Sequence, residues 1–182
     1  MHNDKIVSAI IPARDEAPSI AKVVAELFDL KNPTGSCIYD HVVVCDNGSS
    51  DGTADIAKAA GAIVVSQSTL GYGIACLSAL AAMPQSDIIV FIDADHCFYA
   101  EQSLPMLDAI AAGSDLVIGS RSLGKATRGA LTVPQRFGNQ LATMLINLLW
   151  QQRITDLGPF RTVSAQALAR INMQDRAFGW TV

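Results

Sequence analysis

The chain has 182 residues, half of them hydrophobic, and a formal net charge of −4. That length and apolar content suffice for one well-filled core and do not call for a second domain. The acidic balance argues against a nucleic-acid binder. Cys37, Cys45, Cys76 and Cys97 show no C-x-x-C pairing and follow no signal peptide, so they read as reduced thiols of a cytoplasmic protein. No apolar run approaches the roughly 20 residues needed to cross a bilayer.

Ile6 to Ile11 is a short apolar strand, with a charged loop, Pro12 to Pro18, at its carboxyl end. Ile20, Val23, Val24, Leu27 and Phe28 then recur at helical spacing. A second strand, Val42 to Cys45, runs straight into Asp46-Asn47-Gly48-Ser49-Ser50-Asp51-Gly52, a loop of turn formers and helix caps. The helix it opens is closed by Gly61, and Ala62 to Ser66 is a third strand. Gly71-Tyr72-Gly73 leads into an alanine-rich helix that ends near Met83.

Ile88 to Cys97 reads IIVFIDADHC. Its first half has the β-branched, unbroken apolar character of a strand buried on both faces. Its second half supplies two carboxylates, Asp93 and Asp95, one residue apart. Side chains two apart on a strand point the same way, so at the strand's end both can reach one cation. A bare D-x-D also serves as a loop-capping pair, but two like charges this close repel unless something positive lies between them.

Pro105 starts a further helix that Gly113 ends, and Leu116 to Gly119 is a fifth strand. Strands separated by single helices, with polar loops at the same ends, give an α/β fold: a single-domain, mostly parallel sheet flanked by helices. Ligands of such sheets bind at the carboxyl ends of the strands, so Asp15, Asp46, Asp93 and Arg121 are expected to converge on one crevice. From Ser120 to Arg136 the chain carries Arg121, Lys125, Arg128 and Arg136 and no acid, which fits a solvated loop or an anion-binding lid. The helix that follows, with Phe137, Leu141, Met144, Leu145, Leu148 and Leu149 on one face, reads first as core packing and second as a surface that touches lipid. Asp156 to Val163 is a turn with a short extended piece, Ser164 to Ile171 a last helix, and Phe178 to Val182 a strand-like ending.

A dinucleotide fingerprint is missing after the first strand, where Pro12-Ala13-Arg14-Asp15-Glu16 stands instead, and no G-K-[ST] of a P-loop occurs. Acids after strands one, two and four suit ribose hydroxyls, a base edge and a metal that clamps a pyrophosphate. The segments AIIPARDE (Ala9 to Glu16), VVVCDNGSSDGT (Val42 to Thr53), IVFIDAD (Ile89 to Asp95), DLVIGSR (Asp115 to Arg121), RFGN (Arg136 to Asn139) and DLGPFR (Asp156 to Arg161) together resemble a family 2 glycosyltransferase of the glycosyltransferase A-type fold. The resemblance is nearest the polyprenyl or dolichyl phosphate mannosyl- and glucosyltransferases, and it runs through nearly the whole chain.

That resemblance implies a nucleotide-sugar donor, a UDP- or GDP-hexose, with Pro12, Glu16, Asp46 and Gly48 lining its pocket. Asp93 is then expected near the diphosphate and Asp95 on Mg²⁺ or Mn²⁺. Arg121, Arg136 and Asn139 match positions that hold the acceptor phosphate and the leaving group, and the acceptor implied is a lipid phosphate at the inner face of a membrane. Cys97 stands where that branch commonly has glutamine, and it is expected to pack, leaving a hard oxygen site for the cation. Asn47 replaces the second aspartate of the usual pair, a mild change if Asp46 binds the donor. The family's catalytic domain continues beyond the equivalent of Trp180, so the chain is expected to lack a C-terminal portion.

Overall fold

The computed structural model describes residues 1–120, 133–151 and 154–177, and of residues 133–137 the backbone alone. Residues 121–132 of the expected lid, the side chains of Arg121 and Arg136, and the ending at Phe178 to Val182 lie outside the described residues.

Strand β1 (Val7–Ala13) is buried along its whole length, which is why it reads as an uninterrupted apolar run. It pairs in parallel with β2 (His41–Asp46) on one side and β4 (Ile88–Phe91) on the other, and β3 (Ile63–Ser66) extends the sheet beyond β2. The sheet order is β3-β2-β1-β4-β6-β5, with β5 at Leu116–Ile118 and β6 at Arg161–Ser164. Because the chain winds outward through β2 and β3 and then returns to place β4 beside β1, the strand order reverses there, and the crevice for a ligand opens at those strands' carboxyl ends.

The extended piece near Val163 is thus a full strand. β6 inserts between β4 and β5 and runs antiparallel to both, so β5 keeps the direction of β1 to β4 without touching them. The mostly parallel sheet read from the sequence holds, with this one reversed strand.

Helices α1 (Ile20–Asp29), α2 (Thr53–Ala59) and α4 (Leu104–Ala111) cover one face. There Ile20, Val24 and Leu27 meet Val7, Ile11 and Val44 in the larger core. Helices α3 (Tyr72–Ala82) and α6 (Ala165–Ile171) cover the other, where Ala75, Cys76 and Ala79 pack on Ile10, Val43 and Ile89. Small residues on α3 let it lie close to the sheet. Each fully buried Val, Ile or Leu on these faces contributes about 1.5–3 kcal/mol. Gly61, at φ +98°, ends the turn after α2 in a conformation that L side chains rarely adopt.

Helix α5 spans Val133–Trp150. Its stripe does not pack as expected: Met144, Leu148, Leu149 and Trp150 are each more than half exposed, at 57, 72, 65 and 64 %. Leu141 and Leu145, on the same face, are also exposed. No described helix is long and apolar enough to cross a membrane.

Candidate functional site

A cleft of about 590 Å³ opens at the carboxyl ends of β1, β2 and β4. Pro12 and Glu16 come to it from the end of β1, Asn47 from the end of β2, Gly71 and Tyr72 from the start of α3, and Asp93 and Asp95 from beyond β4. Topology therefore gathers groups that lie up to 83 residues apart in the chain.

Strand β4 stops at Phe91, so Asp93 and Asp95 sit on the turn that follows and not on the strand itself. Asp95 is exposed and Asp93 half-buried. The Asp95 carboxylate caps its own turn: Oδ1 accepts from the Cys97 amide at 3.1 Å and Oδ2 from the Cys97 thiol at 2.9 Å. Cys97 is exposed, so the expected packing role is not what the fold gives it. Hydrogen bonding to Asp95, with partial burial and the charges of Asp95, Asp93 and Glu16, pushes its thiol up to about 11. At neutral pH it is a protonated donor to Asp95 rather than a thiolate.

His96, at φ +60°, turns away from the cleft and sits 2.9 Å from Glu26 of α1. It thereby ties the turn to the helix instead of offering its ring to a cation. Among the described residues no group of three His, Cys, Asp or Glu side chains could hold a metal. Two carboxylates on one cleft wall nevertheless fit a hard divalent cation that completes its shell with diphosphate oxygens and water.

Glu16 is half-buried and receives the Ser19 hydroxyl at 3.1 Å. Asp46, the last residue of β2, is 8 % exposed, does not line the cleft, and leaves Oδ1 with no hydrogen-bond partner. Gly48, φ +75°, is exposed on the same loop, where a Cβ would lie 3.3 Å from Leu70. Asp15 does not converge: its Oδ1 accepts from the amide and hydroxyl of Ser50, joining the loops after β1 and β2. Asn139, on α5, uses its side-chain oxygen to accept the Leu157 amide at 3.0 Å and does not line the cleft.

Three features were not anticipated. Asn47 is buried and holds the segment between β3 and α3, donating to the carbonyls of Gln67 and Thr69 and accepting the Gly71 amide at 2.9 Å. The carbonyls of Arg176 and Ala177 cap the first turn of α3, accepting from Ile74 at 3.0 Å and Gly73 at 2.7 Å. Behind the cleft, between the sheet and helices α5 and α6, lies an apolar cavity of about 440 Å³ whose one charged side chain among the described residues is Arg161. The sequence analysis saw Arg161 only as part of a turn and a short extended piece.

Comparison with known proteins agrees with this architecture. Glycosyltransferase AglJ of Haloferax volcanii is 30 % identical over 174 residues, which cover 95 % of this chain and 55 % of that protein. A dolichyl-phosphate hexose transferase of the same organism is 30 % identical over 161 residues, 85 % of this chain and 66 % of that one. The chain thus spans between about half and two thirds of the length of these curated relatives. Among solved structures, the glucosyl-3-phosphoglycerate synthase of Mycobacterium tuberculosis, in complex with Mn²⁺, UDP-glucose and phosphoglyceric acid, superposes with a TM-score of 0.66 at 24 % identity, over 90 % of this chain and 58 % of its own. The likeness is one of fold, the glycosyltransferase A type. A family model, glycosyl transferase family 2, matches residues 8–171, and with nearly the whole described sheet inside that match the chain belongs to this family.

Proposed function

We propose that the chain catalyses nucleotide-sugar-dependent, inverting transfer of a hexose to a phosphorylated acceptor, a polyprenyl phosphate, with Mg²⁺ or Mn²⁺ as cofactor. The observation that carries this reading is the shared cleft: Asp93, Asp95 and Glu16 face one cavity beside the start of α3. In this reading Pro12 and Glu16 take the nucleoside from the cleft wall, and Asp46 and Gly48 shape the β2 loop beside it. Asp93 and Asp95 hold the cation. When bound, that cation neutralises charge on the departing diphosphate.

The chain's arginines do the rest. Arg121 and Arg136, with Asn139, hold the acceptor phosphate, and the arginines stabilise negative charge as it moves to the leaving group. An acceptor phosphate oxygen forms the new bond to the anomeric carbon from the face opposite the breaking bond to the diphosphate. Because a phosphate is already an anion at neutral pH, no general base is required.

Two observations favour a lipid-borne phosphate. A dolichyl-phosphate hexose transferase is among the relatives. The exposed apolar stripe of α5 lies within a stretch, 116–155, that holds Arg121, Lys125, Arg128, Arg136 and Arg153 and no acid, the character of a helix resting on an anionic membrane surface at the cytoplasmic face. A soluble acceptor is the second reading, since the structural neighbour was solved with phosphoglyceric acid.

The test is transfer of labelled hexose from UDP- or GDP-hexose, with Mn²⁺, to short-chain polyprenyl phosphate in vesicles or to 3-phosphoglycerate in solution. Label in the organic phase is the expected result. Label only in the aqueous acceptor selects the second reading, and donor binding without transfer to either makes the chain a binding module.

A further inference from the structure

The polar cleft and the apolar cavity share one wall residue, Tyr72. It is the first residue of α3, and the backbone before it is fixed, with the Gly71 amide on Asn47 and the Arg176 carbonyl packed against the Gly71 Cα. From there the Tyr72 hydroxyl donates to Asp93 Oδ1 across 3.4 Å.

Arg161 reaches the same place from the opposite direction. Strand β6 pairs antiparallel with β4 in a register that sets Arg161 across from Phe91, the last residue of β4 and two before Asp93. Partners directly across an antiparallel pair project from the same face. That face is the one covered by α3, because Val163 and Phe91 pack there with Cys76. The Arg161 Nε donates to the Gly158 carbonyl at 2.9 Å, which holds the side chain in this direction.

A guanidinium in an apolar cavity is strongly unfavourable without an anion against it. Burial lowers the pKa of Arg161, and the groups that oppose this are Tyr72, Asp93 and Cys76. Of the three, Asp93 is the carboxylate, and the Tyr72 hydroxyl already lies against it.

We propose that Tyr72 and Arg161 are positioning residues for Asp93: they grip its carboxylate from the apolar side and so aim it into the cleft. That the cleft receives a nucleotide sugar rests on the functional reading above; the grip itself does not.

The experiment is therefore a pair of double-mutant cycles, one without ligand. Urea denaturation compares wild type, Tyr72→Phe, Asp93→Asn and the double variant, then repeats the cycle with Arg161→Met. A grip predicts that each double variant loses less than the product of the single losses in folding equilibrium constant, by about threefold for Tyr72 and about tenfold for Arg161. Losses that multiply without remainder overturn it. Tyr72→Phe and Arg161→Lys keep volume and carry the cycle if Arg161→Met does not fold.

The second cycle reads calorimetric binding of UDP in the presence of Mn²⁺. Tyr72→Phe is expected to raise Kd several-fold with Asp93 present and to leave it unchanged in the Asp93→Asn background, with Arg161→Lys nearer wild type than Arg161→Met. Equal effects in both backgrounds overturn the assignment. Absence of UDP binding by the wild type removes the functional reading, and the urea cycle then decides the grip by itself.

Discussion

Asn47 is buried at the tip of β2, where its amide makes three hydrogen bonds to a segment 20 to 24 residues further on. Two of them need an NH₂ group, which an aspartate lacks. From sequence this asparagine looked like a mild exchange for an acid, because its partners are backbone groups of a remote loop and leave no mark on the local pattern. Asn47→Asp would set a carboxylate against two carbonyl oxygens in a buried place and lose both donors. It is expected to cost about 2–4 kcal/mol in urea denaturation, and a change within about 0.5 kcal/mol, ordinary for a surface substitution, would contradict the role given to it. His96 and Cys97 teach the same lesson. Their neighbourhood to Asp95 in sequence was evident, but that one turns to Glu26 and the other donates its thiol to Asp95 depends on a backbone at positive φ that residue types do not announce.

Strands β1, β2 and β4 were legible because burial on both faces demands continuous apolar side chains. Strand β6 was legible only as a short extended piece, since four residues with arginine, threonine and serine among them give no apolar run and its pairing partners lie far upstream. The amphipathic stripe of α5 was likewise plain, whereas the direction it faces is set by what lies around it. The segment ending at Ala177 could not be foreseen either, because it acts through backbone carbonyls. At Gly71 a Cβ would come 2.6 Å from the Arg176 carbonyl, and the backbone φ of +151° already disfavours an L side chain. Gly71→Ala should therefore push that segment off the start of α3, speeding hydrogen exchange at Gly73 and Ile74 and lowering stability by about 1–3 kcal/mol. Unaltered protection of those two amides would show that the segment is not held there.

At the scale of the whole molecule, the order of strands explains both what could be read and what could not. Alternation of strand and helix fixes a sheet whose carboxyl edge gathers the loops, and Glu16 after β1 does share a cleft with Asp93 and Asp95 after β4, whereas Asp15, the acid expected there from β1, does not. Which acids turn inward is a matter of loop hydrogen bonds: Asp15 is consumed by Ser50 and Asp46 sits off the cleft wall, while Asp93 and Asp95 remain on it. The central claim is that these last two carboxylates hold a divalent cation for a sugar diphosphate. Calorimetric titration of UDP- and GDP-hexose, with and without Mn²⁺, tests it most directly on wild type and Asp95→Ala. Binding that requires Mn²⁺ in the wild type and weakens at least about tenfold in the variant is the predicted result, since even the loss of a group behind a metal ligand costs about 10–100-fold in affinity. Affinity indifferent to Mn²⁺, or the same in both proteins, would contradict it.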